Sequence, residues 1–429
     1  MKRLPLMLVC SFVFVVLAAQ VARAQCSAPF LIDQSFPTTG PVETRWRICW
    51  QPVAGNGIAI TSAHFQKSPT SPLMRVFWDA RVSEIFVPYH SGSPRFLDVG
   101  FGFGLVPLNA SDCPASQGGV ILGPGSEVCR ELRDRGIAWK DDTQIRRGEE
   151  VTLWGAIDAA NYNYVIEWTF RDDGVVLGRV GATARNLPGA EFEAHTHGPI
   201  WRLDIDLNGA AGDSVHLFRH REPRIPIFAP DEARDTMDLI PFESSHEWNP
   251  LQYTALHIQD ATLRNGRGHP SAYHLIPIRT GTPRHMEAFS KKDFWVTRFN
   301  ASEMAAASLP GFVNFLSPVS NTDIVVWYYG SVHHLVRDED GRIAADGTWI
   351  GEAHIMWTGF MLKPHNLFDV TPLFNDALPP PPPPPPPPLC PAGQRCCEFD
   401  GNRCTLCIPN NAQCPLENTK QLSKRSMRH

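Results

Sequence analysis

His195-Thr196-His197-Gly198-Pro199-Ile200-Trp201-Arg202-Leu203-Asp204-Ile205-Asp206-Leu207 is the most informative stretch of this chain. Read as a β-strand with a side-chain period of two, it puts His195, His197, Trp201, Leu203, Ile205 and Leu207 on one face. Arg202, Asp204 and Asp206 take the other. The apolar face belongs to an interior, so the spacing predicts two imidazoles projecting together into a core. Two carboxylates converge on the far side. Gly198-Pro199 marks the place where a bulge would break that register.

The same kind of segment recurs on either side. Val165–Phe170, Val215–Phe218 and Ile324–Tyr329 are short apolar or alternating runs separated by Gly, Pro, Asn and Asp clusters. Long helical periodicity is scarce; Ala301–Leu309 reads as one short helix. The expected fold is mostly β, a large antiparallel β-sandwich rather than a barrel, and 12 Trp with 10% aromatic residues supply a sizeable core. A net charge of −5 builds no field that would draw nucleic acid or an anionic membrane surface.

The two ends read differently. Lys2 and Arg3 precede an apolar run from Leu4 to Ala19, and Ala22-Arg23-Ala24 is a small-residue cleavage signature. Residues 1–24 are therefore expected to be a secretory signal peptide, and the mature protein secreted or periplasmic. No other apolar run approaches the ~20 residues of a membrane span. Removal of Cys10 with the signal leaves ten cysteines of the 11, an even number that export makes a disulfide set. Residues 25–377 have ordinary globular composition. The linker 378–389 holds ten consecutive prolines, Pro379 to Pro388, a polyproline II spacer of roughly 30 Å. Residues 390–416 form a cysteine-rich module, and 417–429 a basic tail. Six cysteines between Cys390 and Cys414 allow fifteen connectivities, and Cys404-Thr405-Leu406-Cys407 is also a possible zinc pair. Such a knob on a stalk suits attachment to a surface or polymer. Asn109-Ala110-Ser111 and Asn300-Ala301-Ser302 are glycosylation sequons.

Three motifs carry chemistry. Asn161-Tyr162-Asn163-Tyr164 follows Val151–Asp158; His195-Thr196-His197 comes after it; Ser331-Val332-His333-His334-Leu335-Val336-Arg337-Asp338-Glu339-Asp340 closes the set. Together they resemble the copper amine oxidases. The first is similar to the family's topaquinone signature (Ser or Thr, two residues, Asn, the modified Tyr, an acid). The second sits where the family has two copper ligands, and the third matches the context of the remaining one when aligned on Glu339-Asp340, which selects His334 over His333. Val87-Pro88-Tyr89, Asp98-Val99-Gly100-Phe101-Gly102 and Leu362-Lys363-Pro364 extend the resemblance over residues 40 to 375. Domains that many family members carry upstream are not matched.

The resemblance implies a primary-amine oxidase working as a homodimer on a small amine and O2. Copper(II) would be held by His195, His197 and His334, imidazole being a ligand that copper favours. Tyr162 would become topaquinone, preceded by Asn161, with Tyr89 hydrogen-bonding the quinone. Asp98 would be the general base that takes the proton from the substrate's α-carbon, its pKa raised by burial among Phe96, Phe101 and Phe103. Asp204, Asp206 and Asp323 with the carbonyls of Ile205 and Ile324 match a peripheral calcium site, a hard-oxygen set. The resemblance also implies a Cys113–Cys129 disulfide near the active site and leaves Cys26 and Cys49 to pair near the domain's start. Asp158 and Asn163 depart from the signature, Asn163 replacing a carboxylate, which implies slow cofactor formation or an altered substrate range. Two rival readings come from other classes. One is a catalytically silent copper-binding or adhesion protein keeping the fold; the other is a zinc hydrolase using the three His.

Overall fold

The computed structural model describes residues 26–39, 41–221, 234–249, 252–280, 284–348, 352–369, 390, 393–400 and 403–412. The expected signal peptide, proline linker and basic tail lie outside them. The chain divides into two compact units, Met1–Phe374 and Asn375–His429.

The first unit is built on two ten-stranded antiparallel sheets. The main path of one runs Leu31–Phe36, Thr44–Val53, Gly57–Gln66, Met74–Pro88, His195–Ile205, Ile324–Tyr329, Phe294–Arg298, Ser244–His246. Two short strands join it at the side: Arg95–Leu97 on Met74–Pro88, and Val332–His334 on His195–Ile205. The other sheet runs Arg234–Leu239, Asp213–Arg221, Tyr253–Arg264, Pro270–Ile278, Ala353–His365, Val176–Ala184, Tyr162–Arg171, Ile145–Ala159, Val128–Lys140, Gly119–Leu122. One apolar core is shared by the inner faces of both. Its centre is aromatic: Trp168 of one sheet meets Trp201 of the other edge-on at 5.1 Å, and Phe360 packs 5.2 Å from Trp201. Edge-to-face contact lets the electropositive rim of one indole meet the electron-rich face of the next. The expected sandwich is what forms.

The strand His195–Ile205 lies in the middle of its sheet and is buried throughout. Its alternation holds: Trp201, Leu203 and Ile205 enter the shared core, while Ile200 joins a second cluster with Phe86, Trp295 and Trp327 on the other side. Bulges do occur, but on the neighbouring strand. Pairing steps from Ile200↔Glu84 to Trp201↔Val82, and from Asp204↔Asp79 to Ile205↔Phe77, so the extra residues are Ser83 and Trp78. Gly198-Pro199 therefore leaves the histidine parity intact.

The helix expected at Ala301–Leu309 begins later. A 3-10 turn covers Ala306–Ser308 and one α-turn Leu309–Phe312. Ala305 is extended (φ −88°, ψ 110°), and Pro310 sits where a missing N–H costs nothing, in the first turn.

Disulfides join Cys26 to Cys49 and Cys113 to Cys129. In the second unit, Gln394–Asp400 and Arg403–Pro409 form an antiparallel hairpin, and Cys390 is bonded to Cys407. That bond removes Cys407 as a zinc ligand, because a disulfide sulfur carries no thiolate charge.

Candidate active site

His195 and His197 project from the same side of the buried strand, and Val332–His334 pairs beside them with His195 directly opposite His334. Ring centroids lie 4.7 Å apart for His195–His334 and 4.9 Å for His195–His197. One ligating nitrogen from each falls within 4.8 Å of the others. Burial lowers the pKa of all three, to about 4 for His195, so they are neutral imidazoles at neutral pH.

Each ring's outward partner fixes which nitrogen carries its proton. His195 Nδ1 is 2.8 Å from the Glu193 carbonyl, which can only accept, so Nδ1 donates and Nε2 keeps its lone pair. The Tyr164 hydroxyl donates to Asp98 and lies 3.1 Å from His197 Nδ1, so that nitrogen must donate to it. His197 Nε2 is then a bare lone pair, buried and without a partner. His334 Nε2 faces the Asp340 carboxylate at 3.5 Å, which leaves Nδ1 unprotonated. Three lone pairs thus point at one spot.

The Tyr162 hydroxyl lies among them, 2.9 Å from both His195 Nε2 and His334 Nδ1 and 2.7 Å from Asn186 Oδ1. The Asn186 amide is oriented by its Nδ2, which donates to the Glu191 carbonyl at 2.7 Å. One phenolic proton therefore faces three acceptors. That imbalance of acceptors over donors, in a fully buried site, is the arrangement a bound cation completes. Three imidazoles suit copper(II) or zinc.

Tyr162 opens the strand Tyr162–Arg171 immediately after a two-residue turn, with Ala159 paired to it. Asp158 Oδ1 accepts the Ala160 N–H at 3.1 Å, and Ala160 takes a left-handed φ of 66° to close the turn. The tight hairpin holds Tyr162 and Asn161 at the end of a cavity of about 270 Å³. Asp98, Tyr89, Phe96, Phe103 and Leu187 also line it. Burial raises Asp98 to about 6, against the opposing hydrogen bond from Tyr164. Phe101 lines the cavity too but is 66% exposed, so it belongs to the rim and is not one of the groups burying Asp98. Tyr89 stacks on His195 at 4.4 Å with the rings 15° apart, which fixes that imidazole's plane.

Asn163 sits on the other side of the strand from Tyr162. The strand's burial alternates, with Tyr162 and Tyr164 turned inward and Asn163 between them, paired with Asp158. Asn163 does not line the cavity. Its missing charge is one the site does not face.

Residues not singled out from the sequence complete the arrangement. Tyr164 links Asp98 to His197; its parity with Tyr162 was a usable signal. Asn186, in the loop after Val176–Ala184, carries no sequence signal. Glu84 accepts N–H bonds from Ile85, Val99 and Gly100 (2.9, 2.9 and 3.3 Å) and anchors the Asp98 loop. Burial lifts Glu84 to about 7, with Asp98 adding repulsion.

On the far side of the same strand, Asp204, Asp206 and Asp323 bring carboxylate oxygens within 4.8 Å of one another. Both oxygens of Asp204 and one each of Asp206 and Asp323 are buried without a hydrogen-bond partner. Asp213, whose two oxygens are likewise unpartnered, joins this acidic group through its strand's bridge to Thr322.

Residues 188–378, which include all three histidines, match the family model "Copper amine oxidase, enzyme domain". This segment is similar to the enzyme domain of the copper amine oxidases. Among curated relatives, copper-containing amine oxidase gamma 2 of Arabidopsis thaliana is 25% identical over 428 residues, covering 78% of this chain and 59% of its own length. Histamine oxidase of Arthrobacter globiformis is 26% identical over 292 residues, covering 58% and 41%. Among solved structures, a copper-containing benzylamine oxidase from Hansenula polymorpha superposes with a TM-score of 0.62 at 20% identity, over 76% of this chain and 60% of that one. The Aspergillus nidulans amine oxidase gives 0.61 at 18% identity, over 77% and 52%. At such identity the structural likenesses establish the fold. The chain spans about half the length of the curated relatives it matches. Asp98 and Tyr162 precede the segment that the family model matches.

Proposed function

We propose that the chain is a primary-amine oxidase, with copper held by His195 Nε2, His197 Nε2 and His334 Nδ1 and with Tyr162 as the precursor of topaquinone. The observation that carries this reading is the convergence of three lone pairs and one phenol on a buried point with too few protons to satisfy it. When present, copper and the quinone supply the two-electron chemistry that converts a primary amine, O2 and water to aldehyde, ammonia and hydrogen peroxide.

The chain's own groups would do the rest. Asp98, at the cavity wall, takes the proton from the substrate's α-carbon. Tyr164 donates to the Asp98 carboxylate and so sets its direction. Phe96, Phe103 and Leu187 exclude water and offer an apolar wall, and among the described residues Asp98 is the only acidic one in the lining. That lining suits an amine with an uncharged tail better than a diamine. In full-length protein loaded aerobically with copper, we expect a phenylhydrazine adduct and peroxide release, faster with benzylamine than with putrescine. Copper uptake with no adduct would return the protein to the silent-binder reading.

The acidic group is proposed as a calcium site, with Asp204, Asp206 and Asp323 and the carbonyls of Ile205 and Ile324. Burial and mutual repulsion push Asp204 up to about 9 and Asp323 to about 7. A carboxyl whose folded pKa is raised destabilises the fold increasingly as pH climbs from its ordinary value to the raised one, and by a constant amount above that. A bound cation reverses this. Calcium at ~100 times its Kd stabilises by about 2.7 kcal/mol, so Tm at pH 8 should rise with calcium in the native protein and stay flat in Asp204→Asn/Asp323→Asn. Equal shifts in both proteins would reject the site.

A further inference from the structure

A second set of histidines lies on the opposite face of the Tyr162 sheet. Along Tyr253–Arg264 the flanking Leu256 and Ile258 enter the shared core, as do Tyr273 and Leu275 around His274, and Phe360 and Leu362 before His365. Period-two alternation therefore turns His257, His274 and His365 to the outer face. His257 and His274 are register partners on adjacent strands, and His365, opposite Ala272 on the next strand, is diagonal to His274. The rings are close: 4.9 Å for His257–His274, 5.4 Å for His257–His365, and 4.5 Å for His274–His365, the last pair stacked at 14°. One ligating nitrogen from each lies within 4.8 Å of the others.

The surroundings keep the three rings as neutral imidazoles, the form that can ligate a metal. His257 Nε2 is 3.2 Å from Gln259 Oε1, an acceptor, so Nε2 donates and Nδ1 presents its lone pair to His274 Nε2 at 2.7 Å. An outer hydrogen bond that fixes the tautomer is the usual support of a metal-ligating histidine. Burial lowers the pKa of all three, and the neighbouring Lys363 lowers His274 and His365 further. Among the described residues, the groups acting on the cluster are Gln259, His216, Lys363 and the three histidines themselves, with no carboxylate among them. His216, level with His257 on the next strand, adds another buried ring nitrogen without a partner.

We propose that His257, His274 and His365 form a second transition-metal site, distinct from the His195–His197–His334 centre, which takes Zn2+ or Cu2+ and pins three strands of the outer face together. Water completes the coordination, since His274 and His365 are only half-buried.

The test is zinc stoichiometry of the full chain after desalting. We expect two equivalents in the native protein, one in His274→Gln/His365→Gln, and one in His195→Gln/His197→Gln. In the last variant the remaining zinc should be lost on adding the first pair of substitutions. Native stoichiometry in His274→Gln/His365→Gln would overturn the proposal. A measurement without variants is a Cu2+ titration followed by electron paramagnetic resonance: two successive nitrogen-ligated signals support the site, and saturation at one signal overturns it. Neither readout depends on amine oxidation, so failure of the oxidase reading leaves this one standing.

Discussion

Tyr162→Phe should abolish the quinone and all amine oxidation while leaving copper uptake intact. The substitution keeps the ring that packs 4.5 Å from His197 and removes only the hydroxyl shared by His195, His334 and Asn186. In metal-free protein the loss leaves Asn186 Oδ1, which is fully buried, without its donor, at a cost of about 1–3 kcal/mol. Mass spectrometry of the peptide bearing residue 162 is the check. The native chain should gain two oxygens less two hydrogens there, and the variant nothing. If phenylhydrazine still labels the variant, or the mass gain falls on Tyr164, then Tyr162 is not the precursor.

The second large effect is expected from Asp98→Asn. Removing a positioned general base typically costs 10²–10⁴-fold, and that loss should fall on reduction of the quinone by amine, not on quinone formation. The native enzyme should lose kcat/KM about tenfold per pH unit below about 6, because the buried carboxyl is protonated there and cannot accept a proton. Its stability should move the other way. A carboxyl raised from 3.8 to about 6 by burial destabilises the fold as pH climbs through that interval. Asparagine carries no charge and can still accept the Tyr164 hydrogen bond, so Tm at pH 7.5 should not fall. A variant that keeps native anaerobic reduction rates, or loses activity only by unfolding, would remove Asp98 from the base role.

The two effects divide the site into parts of different origin. Tyr162 and the histidines come from strands, whose alternation dictates direction. Asp98 comes from a loop held by Glu84, and Asn186 from another loop. Loop positions depend on contacts with chain far away in sequence, and no local pattern encodes them. Asn163 shows the converse. As a departure from a motif it pointed to an impaired cofactor, yet strand parity places it on the far side of Tyr162, where its lack of charge does not face the cavity.

From sequence alone came the β class, the pairing of His195 with His197 on one face, and the opposed carboxylates of Asp204 and Asp206. All follow from a period of two that local sterics impose on any extended chain. Only the tertiary structure decided that His334 lies opposite His195, that Tyr164 and Asp340 set the histidine tautomers, and that His257, His274 and His365 meet across three strands. Those facts rest on sheet order and register, and register is chosen by the whole core at once. No segment read by itself contains it.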